Sequence, residues 1–142
     1  MASKSAMLHT RKTLNQLGYD VIAAAIEVHR HLGPGVLESV YEECLVEELG
    51  LMGICVKRQV QVPIYYKGRA IKTPLRLDLL IDDVFIVELK TVEKVLPVHE
   101  AQLISYLKLA AKPKGVLINF KTDNITRSAL HRVTELFYEY DL

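Results

Sequence analysis

Apolar and polar positions alternate between two periods along this chain. Helical spacing dominates from about Thr10 to Leu32, with Gly18 placed to split the segment and Asp20 placed as an N-cap for a second piece, Val21 to Leu32. Gly33 supplies the stop, and Gly33-Pro34-Gly35 predicts a tight turn. A second helix is expected from Val36 to about Leu51. Its stripe is Leu37, Val40, Tyr41, Cys44, Leu45 and Leu49, with Glu42, Glu43, Glu47 and Glu48 on an acidic outer face. Ile54 to Tyr66 then reads as one or two strands, with Pro63 marking an edge or a bulge. Lys67-Gly68 is a turn, and Ala70 to Leu80 returns as a strand entered through Pro74. Pro97 opens a helix to about Ala111, its buried side made by Val98, Ala101, Leu103, Ile104, Leu107 and Ala110, and Val116 to Phe120 is a short buried strand. From Asn124 to Leu142 helical spacing is favoured, although Arg127 to Val133 also fits strand alternation. The order of elements predicts an α/β fold, a mixed sheet flanked by helices.

The stretch from Arg76 to Lys90 departs from the rest. It reads as two strands joined by an acidic turn at Asp82 and Asp83, both arms rich in Leu, Ile, Val and Phe. Asp78, Glu88 and Lys90 interrupt that apolar run. Burying an unpaired charge costs several kcal/mol, so such strands avoid it unless a partner or a cation compensates. Glu88 and Lys90 share one strand face because side chains alternate. Whether Asp78 joins them depends on the turn. A two-residue turn sets Asp78 opposite Val87, on the wrong face; a three-residue connection or a bulge brings it to Glu88. The odd-length connection is the one expected.

Composition adds bounds. At 142 residues, 50% hydrophobic and 25% charged, the chain is expected to form one domain over residues 10–142 behind a disordered lead at 1–9. Two cysteines, Cys44 and Cys55, are too few for a cysteine-built zinc or iron–sulfur site and fit reduced thiols in a cytoplasmic protein. The N-terminus lacks a signal-peptide apolar block, and no run reaches the ~18 residues of a membrane span, so no membrane partner is expected. A net charge of +1 decides nothing about nucleic acid; a local basic face matters more. Lys57, Arg58, Lys67, Arg69, Lys72 and Arg76 are candidates for such a face, and a solvated sheet edge is the other reading of them.

An acidic pair with a lysine on one face suits a hard divalent cation, which takes oxygen ligands and keeps several waters. The other reading is a structural ion-pair network. Glu38, in the first turn of its helix, also favours the helix dipole with no cation at all. Tyr41 reads as a core aromatic, and His29 and His31 share no face with a third ligand.

Asp78 followed by Glu88-Leu89-Lys90 resembles the core motif of the PD-(D/E)XK nuclease superfamily. Gly35-Val36-Leu37-Glu38-Ser39-Val40-Tyr41 is similar to the Gly-x-x-Glu-x-x-Tyr signature of the GxxExxY proteins within it, and Gln102-Leu103-Ile104-Ser105-Tyr106 to the Gln-x-x-x-Tyr helix motif of its RecB-like and lambda-exonuclease-like members. The resemblance spans about Val21 to Phe120. It implies a restriction-endonuclease-like fold and a nuclease that uses Mg²⁺ or Mn²⁺ to direct a cation-held water in line at phosphorus. Glu38, Asp78, Glu88 and the Leu89 carbonyl would surround the ion, Lys90 would serve the water, and Gln102 and Tyr106 would line the site. The implied partner is nucleic acid, DNA ahead of RNA, with a homodimer or a partner protein also compatible. The alternative is a non-catalytic module binding nucleic acid or protein on the same fold. Leu77 stands where the superfamily name has Pro, and no motif anchors the chain after Phe120.

Overall fold

The structure, a computed structural model, describes residues 8–142, so the lead expected at 1–9 lies outside it up to residue 7. His9 is described: its ring meets Thr13 Oγ1 at 2.9 Å and Asp82 at 3.2 Å. Helix α1 runs Arg11–Leu32, capped by Thr10. The break expected at Gly18 does not occur. Leu14, Leu17, Val21, Ala24, Ala25 and Val28 keep one buried stripe in phase through the glycine. Its cost of about 1 kcal/mol against Ala is small beside that burial. Asp20 accordingly caps nothing and accepts a bond from Gln16. Gly33, at φ 74°, ends the helix as expected.

Helix α2 spans Glu38–Leu51 and starts two residues later than the spacing suggests. Val36 N–H is diverted to the Tyr41 hydroxyl at 3.1 Å, which itself donates to Gly33 O. The Tyr41 ring is fully buried and stacks on Phe120 with centroids 4.5 Å apart. Tyr41 thus ties the turn before α2 to the core, as the reading of it as a core aromatic requires. Leu37, placed in the stripe by spacing, is instead exposed.

The strands are β1 (Val56–Val62), β2 (Tyr65–Tyr66), β3 (Arg69–Ala70), β4 (Leu75–Ile81), β5 (Phe85–Lys90), β6 (Lys114–Asn119) and β7 (Ala129–Val133). Five form one sheet in the order β1-β4-β5-β6-β7, while β2 and β3 form a separate hairpin. Only β5 and β6 pair in parallel, across the connection carrying helix α3 (Pro97–Leu109). The sheet is therefore mixed and packed against helices, the restriction-endonuclease-like α/β arrangement expected. One core lies between the sheet and α1 with α2, the other between the sheet and α3. Leu103 and Leu107 alone are buried in α3; Val98 and Ala101, expected inside, are exposed in its first half, where helical period alone does not supply a covering neighbour. No helix among the described residues is long and apolar enough to cross a membrane.

The C-terminal segment corrects the helical expectation. A four-residue helix α4 (Ile125–Ser128), capped by Asn124, leads directly into β7, and a 3₁₀ turn follows over Glu135–Glu139. Without β7 the fully buried strand β6 would keep a row of unpaired N–H and C=O groups, and that demand outweighs local spacing.

Packing beside the parallel pair leaves no room for a side chain at Gly115. A Cβ there would stand 2.8 Å from Ile86 O and 3.1 Å from Leu107 Cδ2. Gly115→Ala is expected to destabilise the fold by about 1–3 kcal/mol in urea unfolding. An unfolding midpoint equal to wild type would contradict this packing.

Candidate active site

The site begins with the connection between β4 and β5. Ile81 pairs with Phe85, so the connection is the three residues Asp82, Asp83 and Val84, the odd length expected. Asp82 and Asp83 both take left-handed φ, 51° and 61°, which carboxamide and short acidic side chains tolerate best after glycine. The register Leu79–Val87 then sets Asp78 opposite Glu88. At this pair side chains take over from the backbone ladder. Asp78 N–H donates to Glu88 Oε2 at 2.8 Å, and Leu89 N–H donates to Asp78 Oδ2 at 2.8 Å.

The strand on the other side of Asp78 yields too. Gln59 sits at φ 50°, between the Arg58–Leu79 and Val60–Leu77 pairs, with the register unchanged on either side. Leu75 and Leu77 pack in the α3-side core while Leu79 and Ile81 pack in the other, so the alternation changes phase across Asp78. A regular strand would not place it so.

Two acids so close, in so little water, cannot both carry charge cheaply. Glu88 is only 5% exposed. Burial first, and the charge of Asp78 second, push its carboxyl up to about 9; the Asp78 N–H bond and Lys90 oppose this without cancelling it. With no cation the pair keeps a proton at neutral pH. Its contribution to stability is full below the ordinary carboxylate range and is lost as pH rises through about 9. Glu38 stands at the exposed start of α2, yet its carboxyl is also raised, by desolvation first and then by Asp78, with Lys90 opposing. Lys90 is partly buried on the Glu88 face and, among the described residues, makes no ion pair within 4.0 Å.

These groups open into one cleft of about 740 Å³, which Glu38, Asp78, Glu88, Lys90, Gln102 and Tyr106 all line. Gln102 and Tyr106 lie one turn apart on α3, and the Gln102 amide donates to the Tyr106 oxygen at 2.8 Å. Leu89 is not among the residues that line the cleft: its side chain packs in the α1-side core and its N–H goes to Asp78. His99 and Glu100, which precede Gln102 on α3, serve the fold: His99 accepts from Leu96 N–H and Glu100 pairs with Arg132. His29 bonds Thr122 O and His31 lies against Glu27, so neither enters a metal cluster.

One participant escaped sequence reasoning. Glu42, assigned by spacing to the solvent face, is buried and receives Arg58 at 2.9 Å and Gln59 at 2.6 Å. It pins α2 to the kinked point of β1 opposite Asp78. Its position one turn after Glu38, facing the same way, was the available signal.

The donor set fits a hard divalent ion. Asp78 and Glu88 both line the same space, and burial first, with the charge of Asp78 second, holds the proton on Glu88. Among the described residues no cluster of three or more Asp, Glu, His or Cys closes to metal-holding distance. The fit is therefore to an ion for which Asp78 and Glu88 are the main protein ligands and which keeps several waters, as Mg²⁺ commonly does. A family model described as the PD-(D/E)XK nuclease superfamily matches residues 15–133. Comparison with curated proteins and with solved structures returns no match. That span covers every strand of the sheet and every residue placed around the cleft, and the chain belongs to the PD-(D/E)XK nuclease superfamily.

Proposed function

We propose that this protein, a GxxExxY member of its superfamily, is a metal-dependent phosphodiester hydrolase acting on nucleic acid. The observation that carries this reading is the register that sets Asp78 opposite Glu88 with Lys90 on the same face. Magnesium or manganese, when bound, would supply positive charge that polarises the scissile phosphate and acidifies a water. Asp78 and Glu88 would hold it, with Glu38 and the Leu89 carbonyl completing its surroundings. Glu88 would hold such an ion as the carboxylate, the cation taking the place of the proton as the balancing charge.

Lys90 is a donor only, so its amine fixes the attacking water through the oxygen and neutralises charge developing on phosphorus. Tyr106 accepts from Gln102, which leaves its O–H to donate to a phosphate oxygen. Glu42, holding Arg58 and Gln59, keeps the β1 wall of the cleft in place.

A second reading, a binding module that keeps the fold without turnover, draws on one feature. Both carboxylates already accept a backbone N–H, as a structural clasp would.

Calorimetry separates the two. Wild type should bind Mn²⁺ or Mg²⁺ and Asp78→Asn should not; equal binding by both removes Asp78 from the ion. Lys90→Ala should lower Mn²⁺-dependent cleavage by about 100-fold or more while metal binding survives. Turnover retained in that variant assigns the lysine to structure.

A further inference from the structure

The hairpin beside the cleft carries two tyrosines that the core does not use. Tyr65 and Tyr66 are 66% and 62% exposed. A ribbon of two residue pairs is marginal in water, and burying aromatic rings is the usual way to steady one. Here the rings stay out and other features fix the ribbon. Lys67 and Gly68, at φ 49° and 81°, form the two-residue turn that matches strand twist. Beyond β3, Ile71 N–H bonds Ile64 O at 2.8 Å, and both isoleucines belong to the cleft wall. The tyrosines therefore stand on a braced arm at the mouth of the site.

Charge around the arm is one-sided. Between Glu48 and Asp78 there is no Asp or Glu, whereas Lys57, Arg58, Lys67, Arg69, Lys72 and Arg76 all fall there, in a chain whose net charge is only +1. Arg58 is taken by Glu42; Arg76 lines the cleft, and Lys67, Arg69 and Lys72 are exposed around the hairpin. The Lys67 amine lies 5.5 Å over the Tyr66 ring. Cations attract phosphate of any nucleic acid, and exposed rings add something more selective. Bases in a duplex present their faces to one another, so only unpaired or end bases can stack on a protein ring.

Resting on the nuclease reading for the chemistry in the cleft, we propose that the β2–β3 hairpin is a stacking platform for single-stranded nucleic acid. Tyr65 and Tyr66 hold unpaired bases while the neighbouring cations hold their phosphates, and the strand passes from there to Asp78, Glu88 and Lys90. Substrates are then single strands or the unpaired ends of duplexes.

Fluorescence anisotropy in EDTA, where cleavage cannot proceed, tests the platform with a mixed-sequence single strand, its blunt duplex and the same duplex carrying an overhang. Wild type should bind the single strand and the overhang about tenfold or more tighter than the blunt duplex. Tyr65→Ala/Tyr66→Ala should remove that difference by weakening only the unpaired forms, and Tyr65→Phe/Tyr66→Phe should retain it. Thermal melting of each variant confirms the fold, and the Phe pair serves as the control for the rings themselves. Equal affinity of wild type for all three, or an Ala variant that binds like wild type, overturns the platform. A protein that shows the full pattern yet never cleaves with Mn²⁺ supports the platform and removes the nuclease reading. One that cleaves but binds paired and unpaired forms alike overturns the platform alone.

Discussion

Two side chains exchange bonds with two backbone N–H groups at the centre of this protein. Asp78 N–H goes to Glu88, and Leu89 N–H goes to Asp78. This clasp takes over at the point where the β4–β5 register brings the acids face to face, and it exists only because the connection at Asp82-Asp83-Val84 has three residues. One residue fewer would send Asp78 to the other face. The same clasp concentrates negative charge in a nearly dry place, and that imbalance makes the site receptive to a proton or a cation.

The remaining elements support or exploit the clasp. Tyr41 fastens the turn before α2 and so brings Glu38 to the rim of the cleft, while Glu42 one turn later anchors the kinked strand opposite Asp78. Helix α3 seats on Leu103 and Leu107, which leaves Gln102 and Tyr106 for the cleft. The basic hairpin stands beside the cleft, joined to it through Ile64 and Ile71. A molecule of nearly balanced charge thus places acids inside the site and cations beside it, the arrangement expected for holding a cation and a phosphate together.

Much of this was legible in the chain. Alternation and length identified the Arg76–Lys90 hairpin, and the cost of burying Asp78, Glu88 and Lys90 marked it as the chemical centre. What was not legible had physical causes. Glu42 reads as solvent-facing because its partners, Arg58 and Gln59, come from another element. Gly18 reads as a break because local propensity omits the buried stripe that carries α1 through it. Ala129–Val133 reads as helix until β6 is seen to lack a partner on that side. Val98 and Ala101 match the helical period of α3, but period alone does not say how much of a helix its neighbours cover.

The central claim is that the Asp78–Glu88 pair carries charge that must be balanced. Nuclear magnetic resonance of the Glu88 side-chain carboxyl carbon across pH, assigned with Glu88→Gln, reads this most directly. Without divalent ions the carboxyl should titrate near 9, and with saturating Mg²⁺ its titration should move well below neutrality. A Glu88 carboxyl that titrates in the ordinary carboxylate range under both conditions would contradict the account.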